Sequence, residues 1–329
     1  MCSVKTRRIV VVPTNCEREW FAESLNRFGS VDFVVDEAKL SLKEEAREDI
    51  ASAVASADLV VYRRMRAKRL YPTDAPSLCV EWTPLRHSCT WGHYFADPKG
   101  FFHEGELAVA FRRLTTAERD GYFSAGERIR DFYLNTVHGE TVSVIEEFLA
   151  RRRHHHLLAV IVLQVPEDDT VVFGSRFSGD PHQVVIAAAK TIIGDRADIV
   201  VKPHPAHPAL TTAGIQASEG TIVVDHYCPI LALLKMADIV VTINSSCAVE
   251  SLILGTPVVA LGSCPAAELG MVWEPESFLS SGSLIRHTAE WQRNGLSFIG
   301  FIAEAYGSWF PSTRRLIEGV ERLIRSRSL

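Results

Sequence analysis

DIVVTINSSCAVESLILGTPVVALG, residues 238–262, has the pattern of a strand, a helix and a second strand. Its first apolar run is rich in valine and isoleucine, which is typical of a buried strand. Asn244 and two serines stand where a helix would begin, and Gly255, Thr256 and Pro257 stand where it would end. The stretch therefore predicts a βαβ unit, in which a helix joins two parallel strands.

The same alternation precedes this unit. Apolar runs predict strands and amphipathic stretches predict helices; the strands lie at residues 157–165, 197–203 and 221–225, and the helices at residues 181–194 and 230–237. Because successive βαβ units with right-handed crossovers form a doubly wound sheet, the second half of the chain is predicted to be a Rossmann-like domain.

The first half of the chain shows a similar rhythm. Strands are predicted at residues 7–15, 31–37, 58–64 and 77–82, with helices at residues 19–29 and 42–57. The aromatic and glycine-rich segment from residue 85 to residue 125 has no clear periodicity and is predicted to form loops. Residues 127–156 are predicted to be mostly helical, and the C-terminal tail is predicted to be a pair of helices.

Chain length sets the expected number of domains. A chain of 329 residues suits two domains of roughly 150 residues each, with a cleft between them. We predict an α/β fold with two Rossmann-like domains and a helical tail, at residues 1–153, 154–297 and 298–329. The junction near residues 152–156 follows RRRHHH, which we interpret as a solvated helix end rather than a lipid or metal site.

Charge and composition exclude several classes of protein. The formal net charge is -5, so no overall positive field attracts nucleic acid, and an anionic ligand must be held by local groups. The seven cysteines have no CxxC spacing, which argues against a disulfide framework and a zinc site and indicates a reducing, cytoplasmic location. No apolar run reaches the roughly 18 residues of a membrane span, so any membrane contact is expected to be peripheral.

Polar motifs at the carboxyl ends of parallel strands are candidates for a ligand site, because open α/β sheets bind ligands there. The first is LQVPEDDT, residues 163–170, where Gln164 precedes Glu167, Asp168 and Asp169. Mutual repulsion of adjacent carboxylates suits one of them to act as a base or a nucleophile. The alternative is an ordinary acidic turn in which Asp169 caps a helix.

The second motif is KPHPAHP, residues 202–208. The prolines after Lys202 and His204, the second of them Pro205, force extended backbone and so hold both side chains in fixed directions. A cation and an imidazole both donate hydrogen bonds to a phosphate. His207 has the same setting but lies farther into the loop. A lone histidine would be interpreted as structural, whereas this arrangement favours a functional one.

The third motif is the strand-to-helix junction of the opening stretch. Asn244, Ser245 and Ser246 combine hydroxyl groups with free backbone N–H groups and a helix dipole, which favours an anion. Glu250 lies one helical turn further on and could accept hydrogen bonds from ribose hydroxyls. The alternative is that Ser245 is an N-cap and Glu250 its capping-box partner. Together the three motifs supply what a nucleotide-sugar transferase needs.

In this order the motifs resemble the capsule polysaccharide synthesis glycosyltransferases, which include the retaining β-Kdo transferases of bacterial capsules and lipopolysaccharides. LQVPEDDT is similar to that family's Gln-Val-x-x-Asp element, and VVKPHP to its Lys-Pro-His-Pro element. Residues 242–262 are similar to its Ser-Ser, Glu and Gly-x-Pro-Val segment. The stretch SCPAAELGMVW that follows departs from the family's aromatic and glycine-rich continuation, so contacts to the donor sugar are not transferred there.

The resemblance implies a GT-B fold without metal or other cofactor, a CMP-activated ulosonic acid such as CMP-Kdo as donor, and an N-terminal acceptor domain on which the tail packs. An aspartate of the first element would be the nucleophile of a double displacement, which maps to Asp168 with Asp169 as an immediate rival. His204 and Ser246 would hold the CMP phosphate, and Glu250 the ribose. The other residues predicted to contact the donor are Gln164, Lys202, Pro205, Asn244 and Ser245.

Several alternatives remain open from the sequence. The expected partners are a nucleotide-sugar donor and a glycan or glycolipid acceptor, with peripheral contact to the membrane or to an assembly complex and without nucleic acid. The rivals are a glycerophosphotransferase that uses CDP-glycerol, a sialyltransferase, and a noncatalytic scaffold that binds a sugar nucleotide. Aromatic and basic residues of the first half form either an acceptor surface or internal packing; they are Trp91, His93, Tyr94, Lys99, Phe101 and Phe102.

Overall fold

The computed structural model describes residues 7–12, 18–34, 48–63, 65–83, 85, 93–99, 106–137, 147, 150, 157–194, 197–206, 221–275, 288–309 and 312–326. These residues form two units. The N-terminal unit contains the residues up to Val109 together with those from Ala303 onward, and the C-terminal unit contains Ala110 to Ile302. Across the described ranges, no helix combines the length and the apolar character needed to cross a membrane.

The strands fall into two sheets. They are β1 (Arg7–Val12), β2 (Gly29–Phe33), β3 (Leu59–Arg63), β4 (Ser77–Trp82), β5 (His93–Asp97), β6 (Leu157–Val162), β7 (Ala197–Lys202), β8 (Thr221–Val223), β9 (Ile239–Thr242), β10 (Val258–Ala260) and β11 (Ser308–Trp309). The first sheet has the order β11-β5-β4-β3-β1-β2, and the second has the order β10-β9-β6-β7-β8.

The helices cover both faces of each sheet. They are α1 (Arg18–Leu25), α2 (Glu48–Ala55), α3 (Met65–Leu70), α4 (Glu106–Arg113), α5 (Thr116–Val137), α6 (Asp169–Gly174), α7 (Pro181–Ile193), α8 (Ile230–Met236), α9 (Cys247–Leu254), α10 (Pro265–Glu268), α11 (Ala289–Phe301), which continues as a π-helical turn (Ile302–Tyr306), and α12 (Arg314–Ser326).

The sheet of the N-terminal unit is buried on both faces. Ile9 and Val11 of β1 share a core with α1 and α12, whereas Val10 and Val12 share a core with α2 and α3. Because successive side chains of a strand point to opposite faces, the continuous apolar run of β1 follows from helices on both sides.

The segment from residue 85 to residue 125 was predicted to be loops, and this prediction is wrong. It contains β5, α4 and the first turns of α5. All five residues of β5 are buried, so the strand lacks the polar and apolar alternation that would have marked it. β5 runs antiparallel to β4 because residues 83–92, which connect them, are too few for the crossover that a parallel pair needs.

The C-terminal unit has an entirely parallel sheet. Its first strand along the chain, β6, lies in the centre between β7 and β9. From β6 the chain winds outward through β7 to β8, then crosses back to β9 and continues to β10. The reversal of strand order between β6 and β9 is the topological switch point of a doubly wound fold.

Helices hold this second sheet from both sides. Ala159 and Ile161 of β6 share a core with Val185 of α7. In the same unit α5 and α11 pack so closely that a Cβ atom on Gly126 would collide with the carbonyl oxygen of Leu296. Only a residue without a Cβ permits that approach.

The two predicted domain boundaries lie in different settings. The predicted junction near residues 152–156 lies outside the described residues. The predicted boundary between residues 297 and 298 falls inside α11, which packs against α5 in the C-terminal unit. The tail beyond it contributes β11 and α12, and α12 packs on β4 and β5 through Leu316 and Val320.

Candidate functional site

The three predicted motifs lie along one edge of the parallel sheet. In the register of the sheet, Val162 of β6 is paired with Lys202 of β7 on one side and with Thr242 of β9 on the other. The chain leaves these three strands in the same direction, because all of them are parallel. The acidic turn, the proline-flanked histidine and the two serines therefore follow three adjacent strand ends at the switch point.

Gln164 is the link between the first and third motifs. Its Oε1 accepts hydrogen bonds from the backbone N of Asn244 (3.0 Å) and from Thr242 Oγ1 (3.2 Å). Its Nε2 donates to Asn244 Oδ1 (3.1 Å) and Thr170 Oγ1 (3.2 Å). Both donors and both acceptor positions of the amide are thus engaged by the protein, so Gln164 braces the switch point from within.

Asn244 extends this brace to neighbouring loops. Its Nδ2 donates to the backbone O of Thr170 (2.6 Å) and also lies 3.4 Å from the backbone O of Ser263. A Cβ on Gly262 would lie 2.7 Å from the carbonyl oxygen of Gly174 and 3.2 Å from Asn244 Nδ2. A glycine at position 262 therefore lets the loop after β10 approach the end of α6 and the Asn244 side chain.

The two candidate nucleophiles have different environments. Asp168 is exposed and caps α6: its Oδ1 accepts hydrogen bonds from the backbone N of Thr170 (2.8 Å) and from Thr170 Oγ1 (2.7 Å). Asp169 is the first residue of α6 and is half-buried. The structural alternative for this turn expected Asp169 as the cap, whereas Asp168 has the extended backbone that precedes a helix. Of these two aspartates, Asp168 is the more exposed to solvent.

Lys202 is buried, with 3% of its surface exposed. Its Nζ donates to the carbonyl oxygens of Pro203 (2.9 Å) and His226 (2.6 Å). Burial lowers the pKa of the ammonium group, an effect that Cys228 and other neighbouring groups oppose. In this arrangement the cation holds the loops after β7 and β8 together.

His204 has a different setting from the lysine before it. Its side chain is half-buried, and its Nδ1 accepts a hydrogen bond from the backbone N of Ala206 (3.1 Å). That bond leaves Nε2 as the nitrogen that carries the proton in neutral imidazole. Pro205 is exposed next to it, while His207 lies outside the described residues.

Ser245 and Ser246 precede α9 and are both half-buried. Ser245 Oγ accepts a hydrogen bond from the backbone N of Cys247 (3.2 Å), which is the contact of a capping residue. The backbone O of Ser246 accepts the N–H of Glu250 (3.1 Å), so the helix continues directly from the serine pair. The first N–H groups of α9 and its dipole are therefore directed toward the strand-end edge.

Glu250 is the most enclosed of the predicted site residues. Only 1% of its surface is exposed, and every residue of α9 from Cys247 to Ile253 is buried. The side chain of Glu250 is thus enclosed by the protein. Its predicted contact with a ribose stays a prediction.

His182 was not predicted from the sequence. It is buried at the start of α7, and its Nε2 lies 2.6 Å from the carbonyl oxygen of Gln164. A carbonyl accepts, so Nε2 donates and carries the ring proton. A histidine within an apolar helical pattern gives no sequence signal for such a contact, because the acceptor is a backbone carbonyl 18 residues earlier in the chain.

Two other features lie away from this edge. A cavity of about 230 Å³ in the C-terminal unit is lined by none of the predicted site residues, but by Phe111, Arg112, Arg119, Glu268, Leu269, Gly270, Met271, Trp291 and Asn294. Among the residues that the structure describes, no group of three His, Cys, Asp or Glu side chains is arranged to hold a metal ion.

Two residues of the set expected to form either an acceptor surface or internal packing are packed inside the N-terminal unit. His93 and Tyr94 are buried in β5; His93 contacts Thr83 Oγ1 (2.9 Å) and the carbonyl oxygen of Ala303 (3.2 Å). Lys99 is exposed. The other members of that set, Trp91, Phe101 and Phe102, lie outside the described residues.

The fold is shared with solved structures of sugar transferases. The chain is similar to the Thermosulfurimonas dismutans KpsC β-Kdo 2,7 transferase, with a TM-score of 0.59 and 15% identity over 97% of this chain and 99% of that chain. It is also similar to the β-Kdo 2,4 transferase of the same KpsC, with a TM-score of 0.58 and 16% identity over 92% of each chain. The architecture is therefore that of the GT-B class.

The sequence itself matches one family. Residues 119–277, a little under half of the chain, match the family described as Capsule polysaccharide biosynthesis protein. This segment includes the three strand-end motifs. No curated protein sequence matches the chain. The predicted GT-B fold and the predicted resemblance to the capsule polysaccharide glycosyltransferases are thereby confirmed.

Proposed function

We propose that the protein transfers a sugar, Kdo in the first instance, from its CMP conjugate to a glycan or glycolipid acceptor in capsule or lipopolysaccharide synthesis. The observation that carries this proposal is the common strand edge on which Asp168, His204 and Ser246 follow β6, β7 and β9. The switch point of a doubly wound sheet is where such folds bind nucleotides.

The main requirement of this reaction is to stabilise the negative charge on the departing CMP. We assign the phosphate of CMP to His204 Nε2, the hydroxyl of Ser246 and the N-terminus of α9, since an imidazole N–H, a hydroxyl group and the positive end of a helix dipole each attract an anion. Gln164 and Asn244 hold the loops in register but have their amide groups engaged by each other. We therefore assign them a positioning role.

We assign the nucleophile to Asp168. Oδ1 of this carboxylate is held by Thr170, which fixes its direction, while the side chain as a whole is exposed. In the first step an oxygen of Asp168 would bond to the anomeric carbon as its bond to the phosphate oxygen breaks, and CMP leaves with the electron pair. In the second step an acceptor hydroxyl would displace Asp168 from the anomeric carbon and lose its proton to water. Because each of the two displacements inverts the anomeric carbon, the product retains the configuration of the donor.

The second candidate is a glycerophosphotransferase that uses CDP-glycerol. The same histidine, serine pair and helix terminus would bind its pyrophosphate. An exposed carboxylate held at the strand end favours the sugar transfer, because attack on phosphorus by the acceptor hydroxyl needs no carboxylate nucleophile. A noncatalytic sugar-nucleotide scaffold and a sialyltransferase are separated from the leading proposal by the same experiment.

The test is a donor screen with the full chain. CMP-Kdo, CMP-sialic acid, UDP-sugars and CDP-glycerol are each added, and thermal stabilisation and release of the nucleotide are measured. We expect stabilisation by CMP compounds and slow release of CMP from CMP-Kdo, unaffected by EDTA because the proposed steps use no metal. Preference for CDP-glycerol would establish the second candidate, and binding without release would establish a scaffold.

The cellular setting follows from the proposed donor. We place the reaction in the cytoplasm, with a peripheral contact to the membrane where a glycolipid is the acceptor. The described cysteines support a reducing compartment, since they are free thiols; they are Cys79, Cys228, Cys247 and Cys264. Cell fractionation with salt extraction of the membrane pellet measures both points.

A further inference from the structure

The loop after β8 presents an aromatic ring that none of the three motifs includes. Tyr227 is 76% exposed, the largest exposure among the exposed large apolar side chains of the described residues. Within the described residues, the ring of His226 lies against it, with 4.0 Å between the centroids. The flat, largely apolar ring of Tyr227 is thus exposed to solvent.

Hydrogen bonds hold the backbone of this loop in place. Asp225 Oδ1 accepts the N–H of Tyr227 (2.7 Å), and the backbone O of Asp225 accepts the N–H of Cys228 (2.9 Å). The buried ammonium of Lys202 donates to the carbonyl oxygen of His226 (2.6 Å). A charged group taken out of water is therefore used to fix the segment that carries the exposed ring, which reduces the entropy that Tyr227 loses when a ligand contacts it.

The position of the loop relates the ring to the candidate site. β8 pairs in parallel with β7, with Val223 opposite Val201, so the loop leaves the sheet at the same edge as the proline-flanked histidine. Lys202 is the last residue of β7 and bonds both to its own loop and to the loop of Tyr227. The ring is thus joined, through one cation, to the motif assigned to the phosphate.

We propose that Tyr227 is the stacking surface for the pyrimidine base of the donor nucleotide. The inference rests on the proposed function, because it takes the phosphate of that nucleotide to lie at His204 and Ser246. A base has two flat faces and stacks on an aromatic ring irrespective of its hydrogen-bonding groups. The nucleotide would then be bound at both ends, with its phosphate at His204 and Ser246 and its base on Tyr227.

The test compares a ligand that has the base with one that lacks it. Dissociation constants of CMP and of ribose 5-phosphate are measured by calorimetry for the wild type, Tyr227→Ala and Tyr227→Phe. We expect Tyr227→Ala to weaken CMP about tenfold and leave ribose 5-phosphate unchanged. Tyr227→Phe keeps the ring and is expected to bind CMP like the wild type. Phe177→Ala, at a half-exposed aromatic in the same unit, is the matched control and should change neither constant.

Each other outcome has a distinct meaning. If the wild type binds CMP and Tyr227→Ala binds it equally well, the stacking role is refuted while the proposed function stands. If Tyr227→Ala loses affinity for both ligands alike, the ring acts on the phosphate or ribose and the inference is again wrong. If the wild type does not bind CMP, the proposed donor fails and the inference fails with it.

Discussion

Gln164 and Asn244 hold each other across the switch point of the C-terminal sheet. The Nε2 of Gln164 lies 3.1 Å from Asn244 Oδ1, and the backbone N of Asn244 lies 3.0 Å from Gln164 Oε1. Both residues are buried, and each also bonds to Thr170. One pair of amides therefore fixes the relative positions of the loops that carry the acidic turn and the serine pair.

Replacement of Gln164 by methionine keeps the volume of the side chain and removes its hydrogen bonds. We expect the free energy of unfolding to fall by about 2–4 kcal/mol, because the buried backbone N–H of Asn244 and its side-chain Oδ1 lose the partner that Gln164 provides. Urea denaturation followed by circular dichroism measures this. Gln183→Met, on the exposed face of α7, is the control and should change the free energy little. Equal stability of the two variants would mean that the brace contributes nothing.

The exposed carboxylate of Asp168 predicts that substitutions of Asp168 and of Asp169 have unequal effects on activity. Asp168→Asn is expected to lower kcat for transfer on the order of 10⁴-fold, because it removes the proposed nucleophile. Asp169→Asn is expected to retain most of the activity, since Asp169 lies half-buried within α6. Mass spectrometry of the protein incubated with the donor should detect a sugar adduct on Asp168. Full activity of Asp168→Asn would exclude the double displacement through this residue.

The close approach at Gly262 makes this position sensitive to a single methyl group. In Gly262→Ala the new Cβ would lie 2.7 Å from the carbonyl oxygen of Gly174 and 2.9 Å from Ile243 Cγ2. We expect a loss of about 1–3 kcal/mol in the free energy of unfolding, together with weaker nucleotide binding as Asn244 is displaced.

The matched control for Gly262→Ala is a glycine with space around it. Gly121 lies in α5, and a Cβ added to it would meet no neighbouring atom within 4 Å, so Gly121→Ala should stabilise the chain by up to about 1 kcal/mol. Chemical denaturation of both variants measures the two effects. A Gly262→Ala variant as stable as the wild type would show that the loop after β10 can move without cost.

His93 predicts a loss of stability in acid. Burial lowers its pKa from 6.5 to about 4, so the folded chain binds this proton less readily than the unfolded chain. The contribution of His93 is fully present above pH 6.5 and is lost as the pH falls toward 4, by at most about 3 kcal/mol. The His93→Gln variant should show a smaller fall in its free energy of unfolding between about pH 7 and about pH 4.5, by urea titration. Identical pH slopes would contradict this.

The parallel sheet of the C-terminal unit could be predicted from the sequence. Its strands are short runs of valine, isoleucine and leucine, because helices cover both faces and nearly every residue is buried, as in LLAVIV of β6. The common edge of the three motifs followed from the same logic, since polar residues directly after such runs must lie at the carboxyl ends of the strands. Those local patterns were sufficient to place Gln164, His204 and Ser246 on one edge.

Other features depend on contacts that a local pattern does not encode. The burial of Lys202 and its bonds to two carbonyl groups arise from the distant loop of His226, so a lysine that looked like a phosphate ligand holds loops together. The antiparallel strand β5 is buried on both sides and carries aromatic residues. The N-terminal unit is built from two separate segments of chain, and residues 210 positions apart meet in it, as His93 and Ala303 do.

That last arrangement has a consequence for the order in which the chain folds during synthesis. β11 pairs with β5, and Leu316 and Val320 of α12 fill the same core as Ile9 and Val11. Until β11 and α12 have left the ribosome, β5 has an unpaired edge and the face of the first sheet that α12 covers is shielded only in part, by α1. The core of the N-terminal unit is therefore completed only after the C-terminal helix has been synthesised. A nascent chain halted before that point would expose apolar residues of this sheet to chaperones.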